Sequence, residues 1–186
     1  MSKVVVGMTI SVDGFVSDRD GRIDALYTDF AEFVASEPLK QSIAETGAVV
    51  MGRKAFAMAE DPDSYAVDYE FQVPIFVLTR QIPSKKPKEN DKLTITFVTD
   101  GIKSAIAQAK LAAGAKDVTV IGGPSTMRQC IQAGLADELQ IDIMPILLGS
   151  GLRLFEDFDM PPMQLTRLDV FSLPSGRTSI KYRIEK

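Results

Sequence analysis

The chain has 186 residues, of which 45% are hydrophobic, and a formal net charge of −4 with both charge signs interspersed. This length suits one domain over residues 1–186. No apolar run reaches the roughly 18 residues that span a bilayer, and no cleavable signal is apparent. The negative charge disfavours nucleic acid as a partner. We therefore expect a protein that binds neither nucleic acid nor a membrane and acts on a small-molecule substrate.

Missing residue types exclude several mechanisms. The chain contains no His and a single Cys, Cys130. A Cys/His zinc site, a Ser-His-Asp triad and a Cys-His pair therefore lack their components, and we expect no metal. A lone Cys forms no intramolecular disulfide, which fits a cytoplasmic location. Hydride transfer from a bound nicotinamide is compatible with this composition, because the cofactor carries the chemistry and the protein supplies binding and orientation.

The first predicted strand, residues 3–10, is a nearly continuous apolar run, typical of a strand buried on both faces of a mostly parallel sheet. A polar loop with the turn dipeptides Asp13-Gly14 and Asp20-Gly21 follows it. In open α/β sheets, ligands bind beyond the carboxyl ends of the strands. Asp13 is therefore a candidate site residue, or alternatively only a turn former.

Helices are predicted after this loop. Residues 28–34 place their apolar side chains on one helical face, with Thr28 or Asp29 as the N-cap, and a second short helix begins near Pro38. We expect both helices to cover the sheet. The acidic and aromatic residues 61–72 have no clean periodicity and are left unassigned.

Two predicted strands, residues 47–51 and 73–79, each lead into polar and cationic residues. At or directly after their ends lie Gly52, Arg53, Lys54, Thr79 and Arg80. Arginine offers a phosphate a bidentate fork and lysine a point charge, so we expect Arg53, Lys54 and Arg80 to converge. The alternative for the first two is an exposed basic pair at a helix start, which is mildly unfavourable against the helix dipole.

Residues 118–127 read V-T-V-I-G-G-P-S-T-M and predict a strand, a tight glycine turn and the start of a helix. Gly122 and Gly123 let backbone approach a ligand closely, and the first N–H groups of the helix lie at the positive end of its dipole. An anion, above all a phosphate, fits there. The alternative is that the glycines only make a tight turn.

The second half of the chain adds a strand at residues 93–98 and a helix over residues 102–113, with Asp100 as its N-cap and Gly114 at its end. Asp142 lies within an otherwise apolar predicted strand. Such a carboxylate must be paired, exposed at an edge or facing a site.

The chain closes with three predicted strands at residues 139–148, 164–171 and 178–184, and the last two form an antiparallel hairpin. The order of elements predicts an α/β fold of three layers, with helices on both faces of a mostly parallel central sheet.

Five short motifs, taken in order, resemble the dihydrofolate reductase superfamily, specifically the branch that contains the reductase domain of riboflavin biosynthesis and its stand-alone bacterial relatives. They are S-V-D-G-F at 11–15, M-G-R-K at 51–54, V-L-T-R at 77–80, I-G-G-P-S at 121–125 and L-L-G-S-G at 147–151. Each motif is weak alone, but five in this order are fairly specific. The resemblance implies a dihydrofolate-reductase-like fold, a homodimer and NADPH as the cofactor.

The resemblance also implies which residues hold NADPH. Those expected around its 2′-phosphate are Gly52, Arg53, Lys54, Thr79 and Arg80. Those expected at its pyrophosphate are Gly122, Gly123, Pro124, Ser125 and Thr126.

Three carboxylates are predicted to orient the substrate or relay a proton: Asp13, Asp29 and Glu32. Asp13 would border the nicotinamide, and Asp29 lies near the acidic residue that binds the pterin ring in true dihydrofolate reductases. Glu32, one turn later, is its competitor. The chain departs from those enzymes in having no Trp and in carrying Asp142 where they have a Thr.

The sequence thus predicts a stand-alone NADPH-dependent reductase that transfers a hydride to a small pterin- or pyrimidine-like heterocycle. We expect no zinc deaminase within this chain, because it has no His and a single Cys. Two alternatives stay open, a non-catalytic nucleotide-binding module of the same fold and a true dihydrofolate reductase.

Overall fold

An eight-stranded sheet is the centre of the computed structural model, which describes residues 2–156 and 160–186. Six adjacent strands are parallel, and an antiparallel hairpin completes the sheet. The strands are β1 (Val4–Ser11), β3 (Thr46–Gly52), β4 (Ile75–Leu78), β5 (Ile95–Val98), β6 (Asp117–Ile121), β7 (Glu138–Met144), β9 (Leu165–Ser172) and β10 (Thr178–Ile184). Their spatial order is β5-β4-β3-β6-β1-β7-β10-β9. The predicted α/β class, mostly parallel sheet and terminal hairpin are confirmed.

Helices lie on both faces of this sheet. They are α1 (Phe30–Ala35), α2 (Glu37–Glu45), α3 (Arg53–Phe56), α4 (Tyr65–Asp68), α5 (Ile102–Ala113) and α6 (Pro124–Gln132). Asp29 occupies the N-cap position of α1, as one of the two predicted caps. None of the helices in the described parts of the chain is long and apolar enough to cross a membrane.

Alternate residues of the central strands supply two cores, because successive side chains of a strand point to opposite faces. Val50 of β3 packs in the core beneath α5 and α6, whereas Val49 packs in the core that α3 and α4 help to close. The second core contains the aromatic residues of the unassigned segment 61–72. There Tyr65 stacks on Phe56 with 4.8 Å between ring centroids, so this segment closes one face of the sheet.

Some predicted boundaries are wrong for identifiable reasons. The strand predicted to run to residue 148 ends at Met144, because Pro145 has no N–H to donate to a strand ladder. Asp100 is not the N-cap of α5. Gly101 takes that position with φ of 100°, and no side chain caps the helix. Part of the loop predicted after β1 forms a short strand, β2 (Phe15–Ser17), which pairs with β8 (Leu152–Arg153).

Two glycines of the sheet provide a matched test of packing. A Cβ on Gly47 would lie 2.7 Å from the backbone oxygen of Ala113, whereas a Cβ on Gly7 would meet nothing within 4 Å. We expect Gly47→Ala to lower the free energy of unfolding by about 1–3 kcal/mol through overpacking. Gly7→Ala should leave it unchanged or raise it by up to about 1 kcal/mol, because Gly is unfavourable within a strand.

Urea unfolding followed by circular dichroism measures both variants. Equal losses of stability at the two positions would contradict this account of the packing.

Candidate functional site

Parallel pairing brings three loops together at one edge of the sheet. Gly52 is paired with Leu78 of β4, and the residue before it is paired with Ile121 of β6. Neighbouring strands lie about 4.8 Å apart. The segments that begin at Arg53 and Thr79 and the glycine turn after β6 therefore lie side by side.

Close packing joins the end of β3 to the glycine turn. A Cβ on Gly52 would lie 2.5 Å from Thr126 Oγ1, and one on Gly122 would lie 2.7 Å from the Cβ of Ala55. Gly122 and Gly123 have φ of 69° and 78°, which side chains rarely tolerate. The predicted tight turn is confirmed, and only glycine fits it without strain.

The turn leads directly into α6, whose first residue contributes no N–H because it is a proline. Pro124 is its first residue. Thr126 is buried, and its N–H donates to the backbone oxygen of Gly123 at 2.9 Å. Ser125 is exposed and receives a bond from the side chain of Gln129 at 3.1 Å. Among the residues predicted for pyrophosphate, Thr126 therefore packs the turn and Ser125 faces solvent.

Three cations stand at this edge of the sheet. Arg53, Lys54 and Arg80 are exposed, and no salt bridge within residues 2–156 and 160–186 includes any of them. Thr79 differs, because it is buried and its hydroxyl donates to the backbone oxygen of Gln81 and accepts from its N–H. The edge thus offers an anion three positive charges that no carboxylate of the described residues pairs with, and Thr79 holds the loop that carries one of them.

Asp13 links two loops at the carboxyl ends of β1 and β7. Its carboxylate accepts bonds from Ser11 Oγ at 2.6 Å and from the N–H groups of Leu148 and Gly149 at 3.1 and 2.7 Å. The Ser11 hydroxyl, helped by these amides, lowers the pKa of Asp13 to about 2. Asp13 is therefore ionised at neutral pH, which suits positioning the loops rather than donating a proton.

Asp29 forms a buried ion pair with Arg177, which follows the turn between β9 and β10. Arg177 Nε and Nη2 donate to its two oxygens at 2.9 and 2.6 Å, and the side chains of Arg177 and Asp29 are 0% and 4% exposed. Arg177 also donates to the backbone oxygen of Leu26 and to Thr9 Oγ1, and its guanidinium lies 4.3 Å from the centroid of the Phe33 ring. Hydrogen bonding to Arg177 holds the pKa of Asp29 below its ordinary value.

Glu32 binds the same turn, between β9 and β10. It accepts a bond from the N–H of Ser175 at 3.2 Å, while the hydroxyl of Ser175 donates to Asp29 at 2.9 Å. The structure therefore brings Asp29 and Glu32 together around the hairpin and leaves Asp13 in a separate loop. The catalytic role assigned to the three carboxylates stays a prediction.

Asp142 is the carboxylate that the sequence singled out without assigning it a role. It is 6% exposed and lies in register between Thr9 of β1 and Ser179 of β10. Burial raises the pKa of Asp142, despite hydrogen bonds from Ser179 and Gln140. Asp142 is thus easier to protonate than Asp13, whose pKa is lowered.

Two further residues, Tyr27 and Arg177, lie beside Thr9 and Asp29 and were not predicted from the sequence. Burial raises the pKa of Tyr27, and a hydrogen bond with Thr9 partly offsets that effect. Arg177 lies 5.5 Å from the centroid of the Tyr27 ring. No signal in the sequence marks either residue, since a Tyr in a loop and an Arg after a hairpin turn are ordinarily exposed. Among the described residues, no group of three His, Cys, Asp or Glu side chains could hold a metal ion.

Comparison with known proteins identifies the family. Residues 2–176 match the family model described as the RibD C-terminal domain. This chain belongs to the RibD C-terminal domain family. Membership supports an oxidoreductase activity for the chain, and the family is the one that its five motifs resemble.

Relatives of this RibD C-terminal domain include an uncharacterised protein of Bacillus subtilis (strain 168), YyaP. It is 26% identical over 191 residues, which cover 97% of this chain and 94% of YyaP. A solved structure of a putative riboflavin biosynthesis protein from Shewanella sp. PV-4 is similar with a TM-score of 0.79 at 23% identity, covering 99% of each chain.

The fold also extends to dihydrofolate reductase. The structure of that enzyme from Enterococcus faecalis, complexed with NADP(H) and RAB-propyl, has a TM-score of 0.62 at 12% identity, covering 99% of this chain and 97% of that chain. The predicted dihydrofolate-reductase-like fold is confirmed.

The buried ion pair gives a stability prediction. Asp29→Asn leaves Arg177 buried without a counter-charge, so we expect it to lower the free energy of unfolding at pH 7 by about 3–5 kcal/mol. The double variant Asp29→Asn/Arg177→Met removes both charges and should recover most of this loss. Urea unfolding at pH 7 measures the cycle, and a double variant no more stable than Asp29→Asn would contradict the pairing.

The same pair has a defined pH dependence. The pKa of Asp29 in the folded state lies below the ordinary value of about 3.9, so its stabilising effect is present above that pH. It is lost as the pH falls through the folded-state pKa. The difference in stability between the wild type and Asp29→Asn should therefore shrink below about pH 4. A difference that is constant with pH would argue against an ionised Asp29.

Proposed function

We propose that this chain is an NADPH-dependent reductase that transfers a hydride to a small pterin- or pyrimidine-like heterocycle. The observation that carries the proposal is that the segments beginning at Arg53 and Thr79 lie beside the glycine turn that opens α6. Among the described residues, none of the three cations of these segments, Arg53, Lys54 and Arg80, is in a salt bridge. NADPH supplies the hydride when bound, and the residues of the chain bind and orient it.

The donor set of this edge fits a dinucleotide with a 2′-phosphate. A phosphate monoester carries about −1.5 to −2 charge at pH 7, which calls for several cations at one place. We assign it to Arg53, Lys54 and Arg80, on a loop framework held by Gly52 and Thr79. The pyrophosphate suits the amides at the start of a helix. The residues assigned to it are Gly122, Gly123, Pro124, Ser125 and Thr126. The Enterococcus faecalis enzyme, which shares the fold, was solved with NADP(H).

We assign the substrate to the cluster beside β1 and β7 that contains Thr9, Tyr27, Asp29, Asp142 and Arg177. Asp142, with its raised pKa, is the group proposed to hydrogen-bond the heterocycle. Asp29 and Glu32, predicted for this task, already bind Arg177 and Ser175. Because the carboxylate of Asp29 is held on both oxygens, this arrangement supports a substrate other than dihydrofolate. The Shewanella sp. PV-4 relative that shares this fold is described as a putative riboflavin biosynthesis protein.

One observation favours the alternative of a non-catalytic nucleotide-binding module. All three carboxylates predicted to be catalytic accept hydrogen bonds within the protein. Oxidation of NADPH, followed by absorbance with a panel of pterins, pyrimidines and flavins, separates the two functions. Turnover with any of them rejects the module, whereas tight NADPH binding without turnover favours it. Binding of methotrexate tests the third alternative, a true dihydrofolate reductase.

We also propose that the protein is a homodimer, joined through β9. This edge strand exposes Leu165, Leu168 and Val170 by 40%, 38% and 44%. Apolar side chains on an edge strand are the usual mark of an interface. We expect sedimentation equilibrium to give a dimer for the wild type and a monomer for Leu168→Lys. A wild-type monomer at micromolar concentration would reject the homodimer.

The cationic site gives the principal prediction. If Arg53 and Arg80 both contact the 2′-phosphate, each charge-assisted hydrogen bond contributes about 1.5–3 kcal/mol. Each change to Ala should then weaken NADPH binding about ten- to a hundredfold. NADH lacks this phosphate, so its affinity should barely change. The preference for NADPH over NADH should approach parity in Arg53→Ala/Arg80→Ala.

Titration of both cofactors at one moderate salt concentration measures this preference. The control is Lys92→Ala/Lys110→Ala, which removes the same charge from two exposed lysines away from the carboxyl edge. It should keep the wild-type preference. An unchanged preference in the folded Arg53→Ala/Arg80→Ala variant would mean that the arginines are surface charges without a part in cofactor binding.

A further inference from the structure

Tyr69 carries a phenol hydroxyl that is buried without a hydrogen-bond partner among residues 2–156 and 160–186. We propose that Tyr69 binds the substrate and that its hydroxyl donates a hydrogen bond to a carbonyl oxygen of the heterocyclic ring. As a statement about the substrate, this inference rests on the proposed reductase function. The unpaired hydroxyl itself is a property of the chain.

A buried hydroxyl without a partner is costly, because it loses its bonds to water and gains none within the protein. Two other buried side-chain atoms of the described chain have no hydrogen-bond partner, Ser2 Oγ and Glu138 Oε2. Glu138 Oε2 is compensated by Lys181 Nζ at 3.1 Å, and Ser2 is the first described residue. Tyr69 is therefore the interior group whose unmet hydrogen bond calls for a ligand.

Packing holds the Tyr69 ring in place. It lies edge-on to Tyr65 and tilted against Phe71, with 4.9 and 5.8 Å between ring centroids. The side chain of Gln72 donates to the backbone oxygen of Tyr69 at 2.8 Å. The hydroxyl of Tyr65, in contrast, donates to the backbone oxygen of Phe56 at 3.2 Å. The two neighbours form a matched pair, in which one phenol is satisfied within the protein and the other is not.

Tyr69 lies on the same face of the sheet as the cluster assigned to the substrate. Its ring packs against the core that contains Val49. Thr9 and Asp142 point to this face as well, because the residues that flank them in β1 and β7 pack in or against the opposite core. A ligand beside Thr9 and Asp142 is therefore on the side of the sheet where Tyr69 is found.

Tyr27 connects Tyr69 to this cluster. Its ring centroid lies 5.5 Å from the guanidinium of Arg177, which donates to Thr9 Oγ1 at 3.2 Å. Burial raises the pKa of Tyr69 well above its ordinary value, and nearby ionisable groups, Tyr27 among them, raise it further. Because electrostatic effects between side chains weaken with distance, Tyr27 lies near both Arg177 and Tyr69.

The protein encloses the Tyr69 hydroxyl, so a ligand reaches it only when a neighbouring side chain moves. Tyr27 is suited to this movement, because it is half-buried and follows a turn of only three residues, Asp24–Leu26. The backbone beside it stays fixed, since the Leu26 oxygen accepts a bond from Arg177 at 2.9 Å. A heterocycle that displaces the Tyr27 side chain then meets the hydroxyl of Tyr69.

The chemistry of the hydroxyl selects the ligand group. With its raised pKa, Tyr69 keeps its proton at neutral pH and needs an acceptor for it. A carbonyl oxygen of an oxo-pyrimidine or oxo-pteridine ring supplies that acceptor. An amino group at the same place donates instead and leaves the proton of Tyr69 unpaired. Tyr69 therefore favours an oxo-heterocycle over its amino analogue.

The test compares Tyr69→Phe with the matched control Tyr65→Phe. Urea unfolding comes first: Tyr69→Phe removes an unsatisfied hydroxyl and should leave the midpoint unchanged or raise it, whereas Tyr65→Phe loses a made bond and should lower it. A midpoint lowered equally in both variants shows that the Tyr69 hydroxyl has a partner within the protein, which overturns the proposal.

Ligand binding follows, with pteridine-2,4-dione and 2,4-diaminopteridine titrated at pH 7 without cofactor. Tyr69→Phe should weaken binding of the dione about two- to tenfold, the range of one neutral hydrogen bond. Binding of the diamine should change by less than about twofold, and Tyr65→Phe should change neither. Failure of the dione to bind at millimolar concentration, or an equal effect of Tyr69→Phe on both ligands, overturns the proposal.

A spectroscopic measurement separates contact from an indirect effect. In protein labelled with ¹³C at Cζ of its four tyrosines, the dione should shift the resonance of Tyr69 and leave that of Tyr65 in place. An unshifted Tyr69 resonance at saturation overturns the contact.

NADPH binding and oxidation report separately on the reductase. Dione binding that depends on Tyr69, in a protein that does not bind NADPH, rejects the reductase alone. NADPH oxidation with a heterocycle, together with dione binding that is insensitive to Tyr69→Phe, rejects the role of Tyr69 alone.

Discussion

The parallel alignment of β4, β3, β6, β1 and β7 is the constraint on which the rest of the structure depends. Parallel strands end at the same edge, so the loops that follow them meet there. The cations after β3 and β4, the glycine turn after β6 and the Asp13 loop after β1 are contiguous only because of this alignment. Contacts such as that of Gly52 with Thr126 then fix the spacing between the loops. The positive charge at this edge is therefore a consequence of the register in which the parallel strands pair.

The antiparallel hairpin of β9 and β10 contributes Arg177, a buried cation. The hairpin carries Arg177, whose guanidinium donates hydrogen bonds to both carboxylate oxygens of Asp29 and to Thr9 Oγ1. A buried charge needs such a partner, and a buried pair requires nearly ideal geometry. Asp29 is therefore engaged by Arg177 on both carboxylate oxygens. Asp142 is buried nearby, and burial raises its pKa, which is why it is the carboxylate proposed to bind the heterocycle.

The sequence predicted the elements whose signals are local. Buried apolar runs mark β1, β3 and β6, and the glycines after β6 mark a turn whose positive φ values other residues rarely adopt. Long-range contacts left no such signal. Arg177 lies 148 positions from Asp29, and an Arg after a hairpin turn resembles any solvated residue. Asp100 is predicted as the N-cap of α5 because Asp is a common N-cap residue. The position is instead taken by Gly101, whose backbone has a φ of 100°.

The most direct test of the central claim is the ³¹P resonance of the 2′-phosphate of NADP⁺ as a function of pH, free and bound to the protein. A free phosphate monoester takes up a proton near pH 6. Contact with Arg53, Lys54 and Arg80 favours the dianion. The account predicts that the bound 2′-phosphate stays dianionic to a clearly lower pH, and that this shift disappears in Arg53→Ala/Arg80→Ala. A bound 2′-phosphate that titrates as it does in free solution would contradict the assignment of this edge as the NADPH site.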